Sequence, residues 1–192
     1  MATTLFAKKL AETAQQQYLL YKRMDEGDEQ LCRQIRKYYR DLGFPFASCV
    51  AVPWSAVFIS WCVLKAGATS AEFRFSASHS RFVYAAIENA AADTGVFRAR
   101  QLTDYAPKIG DIIQNNRGGS VFDYEYARVH KDYPSHSAIV VEVGEDSSGK
   151  YLLTIGGNES DSVRMKEIRL DRNGRIKNRT VNPFILIIET LK

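Results

Sequence analysis

The chain has 192 residues, of which 45% are hydrophobic and 25% are charged. These values are ordinary for a globular protein and favour a single domain. The net charge of +4 suits an anionic polymer as partner, but it is too mild and scattered to indicate a nucleic-acid-binding protein. Cys32, Cys49 and Cys62 form no CxxC pair, which argues against a zinc knuckle and a disulfide framework, so we expect reduced thiols.

The N-terminal stretch MATTLFAKKLAETAQQQ lacks the apolar core of a secretory signal, because Lys8 and Lys9 interrupt it. The chain also has no run of about 18 apolar residues, so no membrane insertion is predicted. We therefore expect a protein that is cytoplasmic when made. A target outside the cell would require a dedicated secretion device or release by lysis.

Helical patterns fill the first half of the chain. Apolar residues at three- and four-residue spacings, with cap and turn residues between them, predict helices over about 3–24, 31–43, 53–66 and 78–92. The third is apolar around most of its circumference, which is typical of a central buried helix. The segment 43–53, bracketed by two prolines, is expected to be irregular.

Strand patterns fill the second half. They are predicted over 110–116, 137–144, 150–157, 163–170 and 183–190. Hairpin-type turns at 145–150 and 171–175 favour antiparallel pairing. Helices followed by antiparallel strands predict the α+β class, with a helical layer packed on a sheet. The polar, aromatic segment 115–135 is interpreted as a long loop, which is usually functional or disordered.

The segment VPWSAVFISWC, residues 52–62, places Ser55 at the start of the third helix. A serine there is either an N-cap or a nucleophile. The N-terminus of a helix offers partial positive charge and free N–H groups, which stabilise an oxyanion. A nucleophilic serine also needs a base within about 3 Å and a group that orients that base.

The three histidines limit the search for that base. His136 opens an apolar strand and is the best-placed candidate, with a purely structural role as the alternative. His79 is either a hydrogen-bonding residue at a helix start or part of the same cleft, and His130 is interpreted as a solvated loop residue. Asn158 or Glu159, at the end of the strand YLLTIGGNES, would orient the His136 ring.

Four segments in order, PWSAVFISWCVLKAG, APKIGDII, SHSAIVVEVG and LTIGGNESDSV, resemble the CHAP amidase/peptidase group of NlpC-type, papain-like cell-wall hydrolases. The resemblance covers roughly residues 50–165. It implies that Ser55 stands where that group has its catalytic cysteine, that His136 is the catalytic histidine, and that Asn158 is the third polar residue, with Glu159 the near alternative. Asp111 matches a structural turn residue. Ser135 departs from the usual glycine before the histidine.

The resemblance implies a papain-like α+β domain over 49–192, with 1–48 as a helical extension packed on it. The expected function is hydrolysis of an amide or peptide bond in peptidoglycan, or in another bacterial cell-wall polymer, without metal or cofactor. A phage lysin or an interbacterial toxin, with an immunity or delivery protein as partner, fits this reading. Side chains expected to contact substrate are Trp54, His79, Glu159 and Arg117.

Three alternatives stay open. The first is an inactive wall-binding or structural module, since serine is a weaker nucleophile than cysteine. The second is a serine esterase that acts on a different substrate. The third is a metal site built from His79, His136 and Asp111, which would require those residues to converge.

Overall fold

A computed structural model describes residues 3–192, and the first two residues of the predicted extension 1–48 lie outside this range. The helices are α1 (Leu5–Tyr21), α2 (Glu29–Leu42), α3 (Ser55–Ala66), α4 (His79–Ala91) and α5 (Tyr124–Val129). The strands are β1 (Phe97–Arg100), β2 (Ile112–Asn116), β3 (Ser135–Asp146), β4 (Gly149–Glu159), β5 (Ser162–Arg169) and β6 (Phe184–Thr190). The predicted α+β class is confirmed.

All strand pairs are antiparallel, and the six strands form one sheet in the order β1-β6-β2-β3-β4-β5. Successive residues of a strand face opposite sides of the sheet. Ile112 and Ile139 accordingly belong to the large core under the helices, whereas Ile113 and Val140 belong to a smaller cluster on the other face. Ser55 and the start of α3 lie on the helical face, whereas Glu159 borders a pocket beside Ile113 and Phe184 of the smaller cluster.

Helix α3 is the central helix of the larger core. Ten of its twelve residues are buried, as its apolar circumference predicted, and Trp54 and Trp61 are both buried. Gly67 ends the helix in a left-handed conformation, with φ of 109°, which glycine adopts without strain. Side chains of α1 and α2, such as Leu10 and Tyr38, share the same core.

The prediction of three reduced thiols is wrong. Cys32 on α2 and Cys49 in the segment before α3 form a disulfide, with Cα atoms 5.5 Å apart, and Cys62 is a buried free thiol. The prediction failed because the two cysteines meet only once α2 and the irregular segment have packed together. Among the described residues, no helix is both long enough and apolar enough to cross a bilayer.

Candidate active site

Ser55 is the first residue of α3. This confirms the prediction that Ser55 lies in the first turn of a buried helix. Its hydroxyl does not cap the helix: Oγ lies 2.7 Å from His79 Nε2. The first backbone hydrogen bond of the helix runs from the Phe58 N–H to the Trp54 carbonyl, at 2.9 Å. The amides of residues 55–57 therefore remain available to stabilise negative charge beside Ser55.

His79, the first residue of α4, is buried. Burial lowers its pKa well below the ordinary value, and the nearby His136 and Arg117 lower the pKa further. The ring is therefore neutral at physiological pH and can accept a proton at Nε2. Its Nδ1 is buried and has no hydrogen-bond partner among the described residues.

A second histidine lies beside the first. The centroids of the His79 and His136 rings are 5.3 Å apart. His136 Nε2 lies 2.8 Å from Glu159 Oε1, and Glu159 also forms an ion pair with Lys166. Burial raises the pKa of Glu159, but His136 and Lys166 outweigh that effect and hold it below its ordinary value. A carboxylate whose pKa is lowered thus contacts His136 at Nε2.

The prediction that His136 contacts Ser55 and that Asn158 orients His136 is wrong on both contacts. His79 is the hydrogen-bond partner of Ser55, and Glu159 is the partner of His136. Asn158 Nδ2 instead donates to Glu26 Oε2 at 2.7 Å. The position of His79 at the start of α4, within SASHSRF, was the signal that could have indicated its role.

The two glycines before Asn158 let three structural elements approach one another. A Cβ on Gly156 would collide with the Glu159 carboxylate and lie 2.8 Å from His136 Nε2. A Cβ on Gly157 would lie 2.6 Å from Phe58 Cβ on α3. The first glycine therefore makes room for the His136–Glu159 pair, and the second lets β4 reach the start of α3.

A cleft of about 330 Å³ opens onto Ser55. It is lined by Pro53, Ser55, Ala77, Ser78, His79, Arg117, Tyr133, Pro134 and Ser135. Two of the predicted substrate-contacting residues, His79 and Arg117, thus share the cleft with Ser55. The prediction for Trp54 is wrong, because its side chain is 0% exposed and packs in the core.

Residues 29–184 match the sequence profile of a family described as an uncharacterized protein conserved in bacteria (DUF2272). The chain belongs to the DUF2272 family. No curated protein and no solved structure matches it. The segment matched to DUF2272 begins with α2 and ends at the start of β6, so it includes His79, His136 and their hydrogen-bond partners Ser55 and Glu159.

A second groove among the described residues does not offer the same chemistry. A larger open groove, of about 500 Å³, lies between α4, β1 and α5, but no serine, cysteine or histidine lines it. Asp111 accepts hydrogen bonds from Lys108 N–H, Thr190 N–H and Tyr105 OH, in agreement with a structural turn. Within residues 3–192 no three His, Cys, Asp or Glu side chains gather as metal ligands. His130 is exposed, as expected.

Proposed function

We propose that this protein is a hydrolase that cleaves an amide or peptide bond through an acyl intermediate on Ser55. The observation that carries the proposal is the 2.7 Å contact between Ser55 Oγ and His79 Nε2, at the N-terminus of a buried helix and at the wall of an open cleft. A nucleophile, a neutral base and free amides meet there, which are the elements of acyl transfer.

In the proposed acylation step, Ser55 Oγ attacks the substrate carbonyl while its proton moves to His79 Nε2. The amides at the start of α3 stabilise the oxyanion. The intermediate collapses when the C–N bond breaks and the departing amine takes the proton from His79. Water then replaces the amine, and the same steps in reverse order release the carboxylic acid and restore the Ser55 hydroxyl.

His136 and Glu159 supply the second part of the proposed mechanism. An imidazolium at His79 has no carboxylate behind it, whereas a proton on His136 is stabilised by Glu159. We keep His79 as the proton acceptor. We assign to His136 the role of holding the position of the His79 ring, whose centroid lies 5.3 Å from its own, and to Glu159 the role of orienting His136. The proposed set is therefore Ser55, His79, His136 and Glu159, without Asn158.

Peptidoglycan is the substrate that we propose, because the order of motifs over 50–165 resembles cell-wall hydrolases of papain-like fold. The net charge of +4 and the position of Arg117 in the cleft suit an anionic polymer. The Cys32–Cys49 disulfide is typical of proteins that act outside the reducing cytoplasm. We propose delivery to the wall by a secretion device or by lysis, with an immunity or delivery protein as a further partner.

The test is the release of new amino groups from purified peptidoglycan of several wall types. Wild type should release them, and Ser55→Ala should reduce release to background. Ser60→Ala is a matched control, because Ser60 is a buried serine on the same helix whose hydroxyl bonds the backbone of Ser76. Equal background release from wild type and Ser55→Ala, with wall binding retained by both, would instead establish an inactive binding module.

A further inference from the structure

The site consists of two hydrogen-bonded pairs, Ser55–His79 and His136–Glu159. Glu26 belongs to neither pair, but it contacts a neighbour of each. It lies in the turn between α1 and α2, and its side chain is almost completely buried. Its Oε2 accepts two hydrogen bonds, from Trp54 Nε1 at 2.9 Å and from Asn158 Nδ2 at 2.7 Å. Its own backbone N–H donates to the carbonyl of Asp161 at 2.8 Å, which anchors the turn to the tip of the β4–β5 hairpin.

The two donors are direct chain neighbours of the reacting groups. Trp54 precedes Ser55, and Asn158 precedes Glu159. Asn158 adopts a left-handed conformation with φ of 56°, which is uncommon for a non-glycine residue although asparagine tolerates it better than most. A single carboxylate oxygen therefore fixes the residue before the nucleophile and the residue before the carboxylate that orients His136.

We propose that Glu26 is a positioning residue that sets the separation between the Ser55–His79 pair and the His136–Glu159 pair. The inference rests on the proposed function for its catalytic consequence. The claim that Glu26 sets the separation of the two pairs does not depend on that function. The pairs lie on α3, α4, β3 and β4, and Glu26 contacts both the start of α3 and the end of β4. Displacements of about 1 Å in such a site can slow catalysis by about 100-fold.

The chain contains a matched contact that serves as control. Farther along α3, Trp61 Nε1 donates to Asp41 Oδ2 at 3.0 Å, again an indole–carboxylate bond between this helix and the N-terminal region. Asp41 also pairs with Lys37 and Lys65, so Asp41→Ala removes at least as many contacts as Glu26→Ala does. A general loosening of α3 would follow from either variant, but a specific effect on the site would follow only from the loss of Glu26.

The experiment is a long-range ¹H–¹⁵N correlation spectrum of the full chain, which reads the ring nitrogens of its three histidines. Glu26→Ala should shift the signals of His79 and His136. The signals of His130, which is exposed and serves as an internal reference, should stay unchanged. Glu26→Gln should keep the wild-type spectrum, because an amide oxygen in the same place accepts both hydrogen bonds. Asp41→Ala should also keep it.

Unchanged His79 and His136 signals in folded Glu26→Ala would overturn the inference, as would equal shifts in Asp41→Ala. If Glu26→Ala does not fold, Asn158→Gly serves instead, because glycine tolerates the left-handed backbone and removes one of the two hydrogen bonds. It must then shift the His136 signal, and an unshifted signal overturns the proposal.

A fluorophosphonate, which reacts with activated serines, separates the two claims. Its labelling of Ser55 should slow by about tenfold or more in Glu26→Ala, and should stay within about twofold of wild type in Glu26→Gln and Asp41→Ala. Failure to label the wild type would defeat the proposed function, while the histidine spectra would still decide the positioning role. Labelling that is equally fast in wild type and Glu26→Ala would overturn the role of Glu26 alone.

Discussion

Breaking the Cys32–Cys49 disulfide should destabilise the protein by a predictable amount. The bond joins α2 to the segment that leads into Ser55, over a sequence separation of 17. In the chain-entropy account, opening a loop of this length lets the unfolded chain regain about 3 kcal/mol of conformational freedom. We therefore expect the double variant Cys32→Ala/Cys49→Ala to lose about 3 kcal/mol of unfolding free energy.

The assay is urea unfolding of oxidised wild type and of the double variant, each with and without reductant. Reductant should lower the midpoint of the wild type and leave that of the double variant unchanged. Cys62 is buried and carries no disulfide, so it is retained in both proteins. A thiol titration of the oxidised wild type in denaturant should find one free thiol. Three free thiols, together with a midpoint that ignores reductant, would refute the reasoning.

Three further predictions concern the site. Folding holds the pKa of His79 below its ordinary 6.5, so the free energy of unfolding should fall as pH drops below about 6.5. That fall, measured by urea titration, should be shallower in His79→Gln, and an identical slope would count against a buried neutral ring. Gly157→Ala should cost about 1–3 kcal/mol in thermal unfolding, because the new methyl meets Phe58, and an unchanged melting temperature would contradict the close approach. Glu159→Gln should slow release of amines from peptidoglycan at least about tenfold, because the carboxylate that orients the His136 ring is lost. An unchanged rate would remove Glu159 from the mechanism.

Local patterns predicted most of the fold. The four long helices and the five long strands follow from apolar periodicity and from cap and turn residues. Two short elements were missed. Strand β1 has only four residues, two of them arginine, and forms only because β6 offers it an edge. Helix α5 has six residues inside the segment 115–135, whose polar and aromatic composition indicated a loop.

The candidate site was predicted less completely, for a geometric reason. Strict alternation along β4 places Asn158 on the same face as Gly156, which is the face toward His136. The irregularity in the β4–β5 pairing after Gly156 and the left-handed Asn158 break that alternation, so that Glu159 reaches the ring instead. The contact of Ser55 with His79 joins residues 24 positions apart, and no local pattern signals it.

The most direct test of the central claim is the mass of the intact protein after reaction with a fluorophosphonate, followed by peptide mapping. The account predicts one adduct on Ser55 in wild type and in Ser60→Ala, and none in Ser55→Ala. It also predicts that His79→Ala abolishes the adduct, because the hydroxyl then loses the base 2.7 Å away. A wild-type protein without an adduct on Ser55, or one whose labelling survives in His79→Ala, would contradict the account.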